Sequence, residues 1–557
     1  ESELSNIDSD ATCGIGHTRW ATHGKPSVVN AHPHTSCDGR IAIVHNGIIE
    51  NFAELREELE GRGHHFKSET DTEVFAHLIE EAYAETHDLM ASVREACTHV
   101  VGAYGLAAVC ADEPGVIAVA RKDSPIVVGM GETGSYVASD VIALIDATRD
   151  VVVLEDGQFA KLTPAGVEYT DEAGNVIEPK VTHIDWDLDM AEKGGYPDFM
   201  LKEIHEQPRV VRDTLVGRMT PAGELDIDEL GLSLEELNDI DRVYVIACGT
   251  SYHAGLIAKN LIEGWARIPT EVEAASEFRY RNPIITPTTL VVAVSQSGET
   301  ADTLAAIRDA RIKGAKVFGI TNVVGSPVAR ESDGVIYTKA NKEIAVASTK
   351  SFIGQVVSLT LLALLLAQVK YRLTTKQTRM MFRELSDTAE QIQWILDTQN
   401  EAVHEAALLC KDAQSALFVG RGMGAAISYE GALKLKEVSY LHAEAYAAGE
   451  MKHGPIALID PGFPVIAVAT KSATYDKTVS NLMECKARGA EVIVVATEGD
   501  EEINKIADCI IRVPAVRDVF SPITASVPLQ LLAREVAILR GCDVDQPRNL
   551  AKSVTVE

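Results

Sequence analysis

Apolar residues recur along this chain in two rhythms, and the change between them divides it. In residues 1–180 the runs are short and broken by polar positions. The run 41–49 (IAIVHNGII) predicts a strand entering an Asn-Gly turn, and 51–62 predicts a helix with charged residues around Leu55 and Leu59. Residues 68–71 (SETD) offer N-cap chemistry for a helix over 72–84. Short strands follow at 105–110, 116–120, 126–128 and 151–154, so this block reads as a strand-rich α+β domain. Residues 181–225 lack a strand pattern, are acidic and glycine-containing at 187–197, and carry Pro208 inside a helical spacing. They read as a linker.

From residue 226 the style changes. The runs 243–247 (VYVIA), 289–294 (TLVVAV) and 316–320 (KVFGI) are continuous apolar strands separated by helical patterns. A strand apolar on both faces needs cover on both sides, so residues 226–375 predict a doubly wound parallel sheet. Residues 405–545 repeat the unit: 416–420, 465–468 and 490–494 match the three strands at a nearly constant offset of about 173–175 residues. A short tail, 546–557, remains. The apolar run 352–369 includes Gln355, Ser358, Thr360 and Gln368 and reads as a buried helix rather than a membrane span.

Charge narrows the partners. A net charge of −31 argues against nucleic acid or an anionic membrane surface. The nine cysteines are scattered without a CxxC pair, which predicts free thiols in a reducing, cytoplasmic setting and no zinc site. No metal set and no cofactor are expected.

Chemistry gathers in the loops. SQSGET at 295–300 follows a strand and opens a helix, so backbone N–H groups and the hydroxyls of Ser295, Ser297 and Thr300 form an anion site without net positive charge. Cys248, Gly249, Thr250 and Ser251 form a second such loop, and residues 347–350 (ASTK) a third. The second copy has ATKS at 469–472 in place of SQSG, which puts the ligand phosphate in the first copy. The stretch 430–455 has strong helix formers without a proline or glycine break from 432 to 448. Glu430, Lys434 and Glu437 then share one face, an acid–base–acid stripe suited to proton transfer, with His453 on a following turn. In the first block Arg19 could clamp a carboxylate, Asp71 could bind an amine, and Asn46 with Gly47 could form an oxyanion hole.

Together HTRWATHG, HNGIIEN, SETDTE, ACGTSY, SQSGETADT, EGALKLKE, HAEAYAAGEMKHGP and the tail DVDQPRNLAKSVTVE resemble the glutamine–fructose-6-phosphate aminotransferase (isomerising) family, over essentially the whole chain. The resemblance implies a class II, N-terminal-nucleophile glutaminase domain followed by two sugar isomerase (SIS) modules. It implies that Arg19, Trp20, Thr22, His23 and Asp71 bind glutamine and that Asn46 and Gly47 form the oxyanion hole. Thr250, Ser295, Gln296, Ser297 and Thr300 would hold the sugar phosphate, and Val346 and Ser348 the sugar. Glu437 would move the proton between C1 and C2, Lys552 would form a Schiff base, and Lys434 and Glu430 would support them. His453 from the neighbouring subunit of a homodimer would open the ring, and ammonia would cross an internal channel gated partly by Trp20. The family's nucleophile is a cysteine at the mature N-terminus, upstream of HTRW. Cys13 lacks a free α-amine, so an absent amino-terminal segment and a glutaminase-dead chain are expected here. The alternative reading is a non-catalytic sugar-phosphate sensor, against which the Glu437, His453 and Lys552 set argues.

Overall fold

The computed structural model describes residues 11–18, 27–122, 124–131, 134–139, 141–144, 147–183, 193, 195–220, 222–227 and 231–553. The chain forms two compact units, the first ending at Asp187 and the second running from Leu188 to Val554.

The first unit holds two sheets. In spatial order the six-stranded antiparallel sheet is His34–Thr35, Ile41–Ile49, Gly102–Cys110, Ile117–Lys122, Phe159–Thr163 and Gly166–Thr170. Its faces bury different sets. Ile41, Ile43, Leu106 and Ala120 pack with residues of the helices Phe52–Gly61, Glu73–Thr86 and Leu89–His99. Val44, Ala107 and Val119 pack with Val128 and Val152 of a four-stranded sheet. Burial on both faces explains why 106–108 is apolar without alternation. The strand passes straight through Asn46 and Gly47, which pair with Gly105 and Tyr104, where the sequence predicts a turn. Gly47 makes this possible: its φ is +145°, and a Cβ there would lie 2.0 Å from the Ala103 carbonyl oxygen.

The second unit contains the repeat. One parallel sheet runs Thr270–Ala274, Arg242–Ala247, Thr289–Ser295, Lys316–Thr321, Gly334–Tyr337. The other runs His442–Ala447, Ser415–Gly420, Pro464–Ala469, Glu491–Thr497, Cys509–Val513, in the same order of equivalent strands. Helices Gly249–Trp265 and Met423–Ser439 are equivalent in the two copies and pack against each other, and each is backed by a long apolar helix. Those two, Lys350–Val369 and Asp518–Leu539, are long and apolar enough to cross a membrane, yet both are mostly buried inside the unit.

Two differences from the sequence pattern have clear causes. Within 181–225, read as linker, Val181–His183 joins the four-stranded sheet and 199–215 forms the helices Phe199–His205 and Gln207–Leu215. Met200, Ile204 and Val211 are buried in the second unit's core, and Pro208 sits in the first turn of its helix, where its missing N–H costs nothing. The helix expected to run on to 448 ends at Ser439, because Tyr440 takes the left-handed conformation (φ 60°) and His442–Ala447 pairs in parallel with Ser415–Gly420.

Candidate active site

The acid–base–acid stripe forms as the spacing predicts. Glu430, Lys434 and Glu437 lie on helix Met423–Ser439, and Lys434 Nζ is 2.5 Å from Glu437 Oε2 and 3.5 Å from Glu430 Oε1. The Lys434–Glu437 contact is an ion pair by distance but lacks hydrogen-bond direction. Burial works against the Lys434 ammonium, but the carboxylates of Glu437 and Glu430 outweigh it and hold its pKa above the ordinary value. Glu430 is buried and joins the modules: its Oε1 accepts from Thr250 Oγ1 at 3.1 Å, and its Oε2 lies 2.7 Å from His253 Nδ1. His253 carries no motif, and sequence reading passed it over. His453 is exposed at the end of the 3-10 turn Ala448–His453, and no hydrogen bond or ion pair joins it to the stripe among the described residues.

The loop 295–300 closes on itself. Ser295 Oγ lies 2.9 Å from Thr300 Oγ1 and accepts from the Gly298 amide at 3.0 Å, while Ser297 Oγ accepts from the Glu299 amide at 3.2 Å. Gly298 has φ +69°, and a Cβ there would come within 2.1 Å of Ser326 Oγ, so the tight turn requires glycine. Helix Ala301–Ile312 starts directly after it, with Gln296 and Ser297 half-buried at its mouth. In the neighbouring loop Gly249 has φ +54°, and Cys248 is half-buried, its thiol pushed up by burial. Ser251 turns inward to accept from Gln355 Nε2 at 3.0 Å, so Thr250 is the hydroxyl of that loop directed to the stripe. The equivalent loop of the second copy is filled by its own side chains: Lys471 pairs with the buried Asp500 at 3.1 Å and lies over the Tyr475 ring at 3.6 Å. If this loop holds an anion, Ser297→Ala is expected to weaken phosphate-ester binding by about 1–3 kcal/mol, the scale of a hydrogen bond to a charged group, and titration calorimetry against wild type checks it.

The carboxyl-terminal tail lies along the third loop. The Val346 amide donates to Asp545 O at 2.9 Å, and Lys552 Nζ reaches Ala345 O at 2.9 Å and Glu343 Oε2 at 2.6 Å. Ser348 is half-buried in the same loop. Asp545 also caps helix Phe199–His205 by accepting from the Phe199 and Met200 amides. Glu343 is fully buried; burial opposes its charge, but Lys552 and the Ser351 and Thr349 amides bring its pKa down to about 2. Glu203 stands on the other side of this loop, accepting from the Ile344 and Ala345 amides, with Oε2 buried and unpartnered. Burial and the Glu343 carboxylate push Glu203 up to about 8. Its ionisation therefore favours unfolding: the wild type is expected to lose stability as pH rises from roughly 4.5 to 8, and Glu203→Gln to flatten that slope in thermal melts across this range. Neither acid lies in a recognisable motif: Glu203 acts on a loop 141 residues away, and the lysine that meets Glu343 is 209 residues away.

In the first unit, Asn46 and Gly47 lie on strand Ile41–Ile49, and the buried Asp71 carboxylate accepts from the Ile49 amide at 2.9 Å, which brings these three residues to one end of the strand. Arg19, Trp20, Thr22 and His23 lie outside the described residues. Cys13 is half-buried with its thiol pushed up by burial, the opposite of an activated nucleophile.

A glutamine amidotransferase domain model matches residues 17–146, and the SIS domain model matches 236–365 and 409–540. The chain is 52% identical over 555 residues to a glutamine–fructose-6-phosphate aminotransferase (isomerising) of Symbiobacterium thermophilum, covering 100% of this chain and 91% of that protein. It is 52% identical over 567 residues to the protein of that name from Streptomyces coelicolor, covering 100% and 92%. Among solved structures, the C-terminal domain of glucosamine-fructose-6-phosphate aminotransferase from Francisella tularensis superposes with TM-score 0.61 at 40% identity, covering 64% of this chain and 99% of that one. A glucosamine-6-phosphate deaminase from Thermotoga maritima gives 0.50 at 25%, covering 65% and 100%. An amidotransferase domain, a duplicated sugar-isomerase module and relatives matched along the entire chain place this protein in the glutamine–fructose-6-phosphate aminotransferase (isomerising) family.

Proposed function

We propose that the chain transfers the amide nitrogen of glutamine to fructose 6-phosphate and isomerises ketose to aldose, giving glucosamine 6-phosphate and glutamate. The observation that carries this reading is the tail: Lys552 folds back onto the loop of Val346 and Ser348 in the module that owns the hydroxyl-rich loop. Ser295, Gln296, Ser297, Thr300 and the amides of their loop, with Thr250 beside them, bind the sugar phosphate. Lys552 attacks C2 of the open ketose, releasing water and forming an imine, and ammonia freed from glutamine then adds to C2 and expels the Lys552 amine. Glu437 moves the proton between C1 and C2, and Lys434 positions its carboxylate. The exposed His453 fits donation across a homodimer to open the ring. Asn46 and Gly47 stabilise the oxyanion of amide hydrolysis in an N-terminal-nucleophile glutaminase. Asp71 takes the glutamine amine, and Arg19, Trp20, Thr22 and His23 complete that site. The free thiols of all nine cysteines fit a reducing, cytoplasmic setting.

The test incubates the protein with fructose 6-phosphate alone and with glutamine added. Glucose 6-phosphate in the first case is the expected result; glucosamine 6-phosphate with equal glutamate in the second would identify a nucleophile other than Cys13, whose thiol is pushed up by burial. Tight fructose 6-phosphate binding without turnover in either would replace this reading with a sugar-phosphate sensor.

A further inference from the structure

Four side chains from three segments converge in the first unit. Cys37 sits in the turn after His34–Thr35, His64 follows helix Phe52–Gly61, and His77 and Glu80 lie one turn apart on helix Glu73–Thr86. One ligand atom from each lies within 4.8 Å of all the others. Cys37 Sγ is 3.5 Å from His64 Nδ1 and 3.6 Å from His77 Nδ1. Glu80 Oε2 is 3.2 Å from His64 Nδ1 and 3.3 Å from His77 Nδ1. A tetrahedral zinc ion, with bonds of about 2.3 Å to sulfur and 2.0–2.1 Å to nitrogen or oxygen, sets its ligand atoms roughly 3.3–3.6 Å apart. The four measured edges lie on or close to those of that tetrahedron.

The Cys37 amide also donates to Glu80 Oε2 at 3.0 Å, which holds that carboxylate against the turn. Each Nδ1 faces both the sulfur and the carboxylate, and carries at most one proton for the two. The outer edges of the rings supply an independent observation. His64 Nε2 is 3.2 Å from Glu81 Oε1, and His77 Nε2 is buried without a hydrogen-bond partner and aimed at Glu73 Oε1, 3.7 Å away. Histidines that bind a metal through one nitrogen typically direct the other N–H to a carboxylate, which fixes the tautomer with its lone pair toward the metal. The His65 amide donates to Cys37 Sγ at 3.4 Å, as suits a thiolate, and Phe66 packs edge-on against His77, keeping water from that side.

We propose that Cys37, His64, His77 and Glu80 bind one zinc ion per chain. Four protein ligands leave no open position, so the site is structural rather than hydrolytic. It staples the turn at Cys37 and the connection at His64 to helix Glu73–Thr86, directly after the loop that carries Asp71. Metal binding releases the Cys37 thiol proton to solvent. Scattered cysteines and the lack of a CxxC pair predict no metal; the ligands are 27 and 40 residues apart, so only folding assembles them.

The experiment uses the whole chain, stripped by chelator under reducing conditions and reloaded with zinc chloride or cobalt(II) chloride alone. Expected are about one zinc per chain by plasma mass spectrometry and a zinc-dependent rise in Tm. The cobalt form is expected to show intense visible bands of tetrahedral geometry and a near-ultraviolet thiolate charge-transfer band. Cys37→Ser should lose the charge-transfer band, and His64→Ala should lose the metal. Wild-type protein that stays substoichiometric after reloading, or whose cobalt spectrum is weak and lacks the thiolate band, overturns the proposal. The wild-type spectrum decides even if a variant does not fold.

Discussion

Lys552→Ala is expected to end formation of both aldose and amino sugar, and also to destabilise the second unit. The two losses have different origins. Turnover fails because the amine that would attack the ketone is gone. Stability falls because Glu343, fully buried and 2.6 Å from Lys552 Nζ, loses its cation. Stranding one member of a buried pair costs about 3–5 kcal/mol, and the lower end applies because Lys552 keeps some access to water. Adding Glu343→Gln removes the stranded charge, so the double variant should regain Tm without regaining turnover. Melting curves and fructose 6-phosphate turnover on the four proteins of this cycle separate the roles. Turnover in the double variant would remove the Schiff-base role, and an unchanged Tm in Lys552→Ala would remove the ion-pair role. Because Glu343 titrates at about 2 in the folded protein, its contribution is complete above roughly pH 4.5 and fades as pH falls toward 2, a slope that Glu343→Gln should lack.

The second large effect is expected on helix Met423–Ser439. Glu437→Gln should slow isomerisation by about 10²–10⁴-fold, the range for loss of a positioned proton carrier, with fructose 6-phosphate affinity nearly kept. Lys434→Met should behave differently. Lys434 is 1% exposed between Glu430 and Glu437, and its loss strips Glu437 of its cation and leaves Glu430 only Thr250 and His253, at a cost of about 3–5 kcal/mol. Steady-state kinetics and denaturant unfolding on both variants distinguish proton transfer from support. A Glu437→Gln enzyme with wild-type kcat would assign the proton to another group, and a Lys434→Met protein with wild-type stability would show that the two carboxylates tolerate the loss of their shared cation.

Where a pattern depends on neighbours along the chain and no long-range pairing competes with it, the sequence alone determines the outcome. Continuous apolar runs such as 243–247 and 289–294 become parallel strands because no face of them tolerates water, and the repeat interval becomes two sheets with the same strand order. The spacing of Glu430, Lys434 and Glu437 puts them on one helical face because 3.6 residues per turn is a local property. Contacts across the chain are decided only in three dimensions. Helix formers at 442–447 become a strand because Ser415–Gly420 offers a paired edge, and that pairing outweighs a propensity worth tenths of a kcal/mol per residue. Glu343 beneath Lys552, Glu203 beside it, His253 on Glu430, and Cys37 with His64, His77 and Glu80 have no common interval to be read. Their geometry follows from long-range packing, which brings charged and ligating atoms within about 4 Å, a distance at which Coulomb energy and coordination become strong. The sequence thus settles which surfaces must be buried and which local chemistry is available, and tertiary packing settles which charges meet.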